Sequence, residues 1–194
     1  MRRIELAPNI IRNRRHSNDP CRSRHPQRKH GSQLQSLSAI LDKAIAYAEQ
    51  KKIDAAVLPN ARLAPNMFPL TRQVQTACDT LKNAAACLAG REPKRFEDNE
   101  KTLEDLKARI AGCLSYVRGF GAEDYAGAEA RPITRPLIDK LVLETDGARY
   151  LTDWAMPHFY FHVVTAYDIL RHNGVDIGKR DYLSHVGQFI HERG

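Results

Sequence analysis

Two histidines four residues apart, His158 and His162, are the groups in this chain best placed to do chemistry, and they lie in its most apolar long segment, WAMPHFYFHVVTAYDILRHNGV. Residues four apart on an α-helix stand one above the other, so both imidazoles occupy one face, which Thr165, Ile169 and His172 continue. Two imidazoles spaced in this way are half of a metal site, completed only by groups from a neighbouring helix or by water. The same spacing also suits two interior histidines bonded to backbone or side chains. Phe159, Phe161, Val163, Val164, Ala166, Tyr167 and Leu170 make the helix apolar nearly all round, which places any polar group on it where a partner is required. His172, in the last turn, reads as a charge partner for the helix end. Cys21, Cys78, Cys87 and Cys113 form no CxxC pair and read as free thiols of a reducing compartment, the last three among apolar neighbours.

The histidines need a scaffold, and apolar periodicity supplies four helices. Leu34, Leu37, Ile40, Leu41, Ala44, Ile45 and Ala48 mark a first helix over Gln33 to Lys52. A short turn at Ala55 to Leu58 precedes Pro59, and a linker containing Pro65 and Asn66 leads into a second helix from Phe68 to Ala89, stopped by Gly90. Its stripe is Leu70, Val74, Ala77, Cys78, Leu81, Ala85 and Leu88, with Gln75 and Asp79 four apart on or beside it. A third helix, Asn99 to Gly119, carries Leu103, Leu106, Ile110, Leu114 and Val117 on its core face. Residues 120–153 are broken by Gly121, Gly127, Pro132 and Pro136, and KLVLETDGARYLTD reads as a β-hairpin turning at Asp146-Gly147. The fourth helix starts near Thr152, capped by Thr152 or Asp153, kinks at Pro157 and ends at Asn173-Gly174. The tail after it packs Tyr182 and Leu183 back on the bundle. The expected fold class is therefore all-α, a four-helix bundle with a long crossover before the last helix and a small β-hairpin in that crossover.

Charge narrows the function. The formal net charge of +7 is that of residues 1–31, where nine Lys or Arg face two acids, and residues 32–194 balance 21 bases against 21 acids. The segment 1–31 reads as a disordered basic tail and 32–194 as the bundle domain. Three readings compete for the tail: a mitochondrial targeting peptide, whose helix Pro20 and Pro26 spoil over its second half, a nucleic-acid arm, and an upstream extension without a selected role, which is the reading preferred. A secretory signal does not suit it, for want of an apolar core. The body has no basic excess for a phosphate backbone, and no apolar run is long enough to cross a bilayer. For the bundle domain neither nucleic acid nor membrane is expected as a partner, and a soluble, cytoplasmic protein is expected.

HFYFHVVTAYDILRHNGV resembles the last helix of the DinB/YfiT-like superfamily of bacterial four-helix bundles, which typically reads H-x-x-H-H-R-G-Q before an amphipathic run ending in Leu-Gly. His158 matches the first histidine of that motif, His162 the last, and Gly174 the terminal glycine. RLAPNMFPLTRQVQ, LTDWAMPHFYFH and AYDILRHNGVDIGKRDYL are similar to a branch of uncharacterised proteins in that superfamily, classed as a domain of unknown function. The resemblance spans about residues 33–183 and implies the bundle fold in an up-down-down-up style. It also implies a metal set. The superfamily's third histidine, from the second helix, falls on Gln75 when counted from Met67, and Asp79 one turn on supplies a carboxylate in its place. The implied metal-site residues are His158, His162, Asp79 and Gln75, around a divalent ion such as Zn²⁺ or Ni²⁺. Gln is a poorer ligand for either ion than imidazole, and Val163-Val164-Thr165 replaces the motif's R-G-Q. Two functions follow. One is a binding or self-associating bundle with a degenerate metal-site pocket, in which the histidines bond Gln75, Thr71 or Thr165 and no chemistry is carried out. The other is a metal-dependent enzyme, thiol transferase or hydrolase-like, using His158 and His162. The partners expected are a second copy of the chain, as a homodimer, and a small-molecule ligand.

Overall fold

The computed structural model describes residues 26–54 and 56–191. Helix α1, Pro26–Lys51, buries Leu34, Leu37, Ile40, Leu41 and Ala44 along one side. The expected basic tail lies, over residues 1–25, outside the described residues, while Pro26–Gly31 are already helical. A one-turn helix α2, Val57–Asn60, contains Pro59 and leads to α3, Leu70–Leu88. Then α4, Leu103–Arg118, opens with a reciprocal cap in which Thr102 Oγ1 accepts from the Asp105 N–H at 3.1 Å and Asp105 Oδ2 accepts from the Thr102 N–H at 3.0 Å.

The crossover holds a two-stranded antiparallel ribbon, β1 Pro132–Pro136 against β2 Val142–Asp146, in the register Pro132 with Asp146 and Pro136 with Val142. A hairpin is present, but its turn is not at Asp146-Gly147. Asp146 instead caps the next helix, its Oδ1 accepting from the Arg149 N–H at 2.8 Å, and α5, Gly147–Arg149, begins there. A Cβ on Gly147 would stand 1.8 Å from the Ala128 carbonyl oxygen, so the glycine serves a close backbone approach rather than a hairpin turn.

A π-helical turn over Tyr150–Ala155 joins α5 to α6, Met156–His172. Thr152 is no cap, since its hydroxyl donates to the Ala148 carbonyl at 3.1 Å. Pro157 follows directly on this π-helical turn, in helical backbone that runs unbroken from Gly147, so the departure from α-geometry expected at Pro157 falls in the turn before it. Gly174 (φ +92°) closes α6, and α7, Lys179–Tyr182, carries the chain back to α1.

The long helices α1, α3, α4 and α6 form the four-helix bundle. Helix α3 is its centre, packed most extensively on α6 and α4. It runs antiparallel to α6, with Gln73 against His162 at one level and Leu81 and Ala84 against Phe159 and Ala155 at another. Cys78 and Cys113 are buried between α3 and α4, where the Cys113 thiol donates to the Cys78 carbonyl. Cys78, Cys87 and Cys113 are free, Cys87 half-buried. No described helix is long and apolar enough to cross a membrane.

Candidate functional site

Helix α6 delivers His158 and His162 on one face, as the four-residue spacing requires, with ring centres 4.8 Å apart. His162 is 5% exposed, and its Nδ1 lies 2.6 Å from Gln73 Oε1 on α3. The amide of Gln73 is oriented by its other end, where Nε2 donates to the Phe68 carbonyl at 3.1 Å. A carbonyl only accepts, so Oε1 must face the imidazole, and the proton in that bond belongs to Nδ1. His162 Nε2 therefore carries a lone pair. It has no partner among the described residues and is not sealed from solvent. Trp154 meets His158 edge-on at 5.5 Å, and Phe161, 58% exposed, meets His162 edge-on at 5.2 Å.

Desolvation holds both rings neutral. Burial pushes the His162 pKa down from 6.5 to about 4, with the neighbouring His158 and the Arg72 guanidinium adding to the effect. Burial lowers that of the half-buried His158 as well. The result at neutral pH is a pair of uncharged imidazoles, one of them locked in tautomer by an amide.

Gln75 and Asp79 serve a different cluster. Gln75 Nε2 donates to Glu100 Oε2 at 2.7 Å, and its Oε1 accepts from Arg72 at 3.3 Å. Asp79 accepts from Arg109 Nη2 at 2.9 Å and pairs with Lys82 at 3.3 Å. Arg109, whose side chain is 1% exposed, also bonds the Glu97 carbonyl at 2.8 Å, Asp98 at 3.0 Å and Glu100 at 3.0 Å. Its guanidinium stacks against Phe96 at 5.7 Å. Burial pulls against its charge, but the bonds to Glu100 and Asp79 outweigh it and raise its pKa. This network clasps the strap of residues 91–102 to α3 and α4. Thr71 and Thr165, the other partners expected for the histidines, donate to the Pro59 and Phe161 carbonyls.

The structure thus brings His158 and His162 together and sends Gln75 and Asp79 elsewhere. Gln73, which the spacing argument passed over, is the true neighbour. Its signal was present: with Leu70, Val74 and Ala77 it lies in the middle of the apolar stripe of α3, and a buried amide there needs a partner. Residues two apart on a helix point about 200° apart, so Gln73 and Gln75 cannot serve one site.

The spacing of the rings would suit a shared ion. With metal–nitrogen bonds of about 2.0–2.1 Å, imidazole centres stand about 4.5–5.2 Å apart at a common metal. The donor set does not, because no group of three His, Cys, Asp or Glu that could hold a metal occurs among the described residues.

A family model described as a domain of unknown function, DUF1993, matches residues 29–183, most of the chain. The chain belongs to this family. Among solved structures, the DUF1993 chain is similar to a DinB family member protein from Shewanella denitrificans, whose crystal structure was determined at 1.83 Å resolution. The TM-score is 0.74 at 46% identity, covering 79% of this chain and 86% of that one. The DUF1993 protein is therefore DinB-like in fold and ancestry, as the last-helix motif suggested. No curated protein matches it. The matched region holds the whole His158, His162 and Gln73 site and stops one residue short of Ser184.

Proposed function

We propose that this DUF1993 protein is a binding protein whose site is a metal-free imidazole pair, accepting a hydrogen bond from a small molecule at His162 Nε2. The observation that carries this reading is the 2.6 Å bond between His162 Nδ1 and Gln73 Oε1. It fixes the acceptor nitrogen toward solvent, and desolvation keeps that nitrogen unprotonated at neutral pH. Two imidazoles alone leave a divalent ion to be completed by water. The carboxylate that would finish a two-His, one-carboxylate set, Asp79, is committed to Arg109 and Lys82. Trp154 and Phe161 flank the pair and offer apolar edges to a ligand. Residence in the cytoplasm belongs to the same proposal, since a reducing compartment keeps Cys78, Cys87 and Cys113 as the free thiols they are here.

Metal analysis of protein purified without a histidine tag tests this. Wild type and His162→Ala should both carry far less than one divalent ion per chain, and added Zn²⁺ or Ni²⁺ should raise the thermal midpoint of neither. Near-stoichiometric metal in wild type that is lost in His162→Ala would replace the proposal with the metal-dependent enzyme.

A further inference from the structure

We propose a second, independent site at the junction of α1 with the C-terminal segment, where Ser184 is a nucleophilic hydroxyl activated through Ser36 by His185, acting on small, unhindered carboxylic esters. Ser184 Oγ lies 2.8 Å from Ser36 Oγ, and Ser36 Oγ lies 3.3 Å from His185 Nδ1. Ser36 is 2% exposed, whereas Ser184 is on the surface. The chain of groups therefore runs from solvent through a buried hydroxyl to an imidazole, with nucleophile and base linked by hydrogen bonds. Ser36 has one proton, and two acceptors lie equally far from it, His185 Nδ1 and the Ser32 carbonyl, both at 3.3 Å. Rotation toward His185 completes the relay, with Ser184 donating to Ser36 and Ser36 to Nδ1.

A mere anchor for the segment would not need an imidazole. Gln33 Nε2 already bonds the Tyr182 carbonyl at 2.9 Å, and Lys43 pairs with Asp181 at 2.6 Å. Ser184 is itself exposed, so an ester can approach its hydroxyl.

In the first step Ser184 Oγ bonds to the ester carbonyl carbon. Its proton passes to Ser36 while the Ser36 proton passes to His185 Nδ1. The bond from the carbonyl carbon to the alkoxy oxygen breaks, and the departing alkoxide takes the proton from His185. Water then attacks the acyl-serine through the same relay, releasing the acid and restoring Ser184. The sum is ester plus water giving acid plus alcohol.

The test uses the full chain with a fluorophosphonate probe, mapped by peptide mass, and p-nitrophenyl acetate turnover above the Ser184→Ala background. Wild type should label at Ser184. His185→Gln should turn over about 10²–10⁴-fold more slowly, the usual range for loss of a general base. Ser36→Ala should fall similarly, while Ser36→Thr, which keeps the hydroxyl, should retain the activity. A solvent isotope effect present in wild type should vanish in His185→Gln, which loss of an anchoring contact would not cause. Equal labelling of Ser184→Ala and wild type, or wild-type turnover by His185→Gln with the same thermal midpoint, would overturn the proposal.

Discussion

Replacing His162 with Gln should flatten the acid limb of this protein's stability. In the folded chain His162 titrates at about 4 rather than 6.5, because burial disfavours the imidazolium. The native state therefore binds fewer protons than the unfolded state between these values, and stability falls as pH drops from about 6.5 to about 4. Above 6.5 the ring is neutral in both states and contributes no pH dependence. Titration at about 4 in place of 6.5, at about 1.36 kcal/mol per tenfold change in proton affinity, sets a ceiling of about 3.4 kcal/mol lost across this window. Because Nε2 reaches solvent, screening should reduce that to about 2 kcal/mol. The amide introduced by His162→Gln can still donate to Gln73 Oε1 but does not titrate, so this component should be absent from the variant. Urea unfolding of both proteins at intervals from pH 7.5 to pH 4 measures the difference directly. Wild type should lose about 2 kcal/mol more than the variant, nearly all of it below pH 6.5. Stability curves that stay parallel down to pH 4 would refute the assignment of His162 as a buried, neutral imidazole.

Arg109→Met should cost about 3 kcal/mol or more, because Asp79 and Glu100 lose their buried counter-charge, and hydrogen exchange should accelerate along residues 91–102. Slow exchange in that strap together with an unchanged midpoint would show that the cluster does not hold it. Gly147→Ala should cost about 3 kcal/mol, the upper end of overpacking penalties, since the new methyl would meet the Ala128 carbonyl. For a chain of 194 residues that is a fall of about 6–12 °C in Tm, readable by calorimetry.

Sequence alone determined the four long helices, the all-α bundle and the shared face of His158 and His162, because each follows from local periodicity. Leu34, Leu37 and Leu41 have to lie on one side of a helix wherever that helix packs, and residues four apart have to align. The family motif of the last helix could be read for the same reason. What lay opposite the histidines was a tertiary matter. Gln73 and Gln75 are both polar residues near the apolar stripe of α3, and only the rotation of α3 against α6 turns Gln73 to His162 and Gln75 to Glu100. Asp79 has an equally plausible partner in sequence terms, but a buried Arg109 arriving from α4 claims its carboxylate. Asp146-Gly147 is a common hairpin signal, and it was overridden because the chain needed a helix cap and a side-chain-free contact with Ala128 at that point. Periodicity sets which way a side chain leaves its own helix. The partner it meets depends on how neighbouring helices are rotated to pack, and that is settled by the whole core at once.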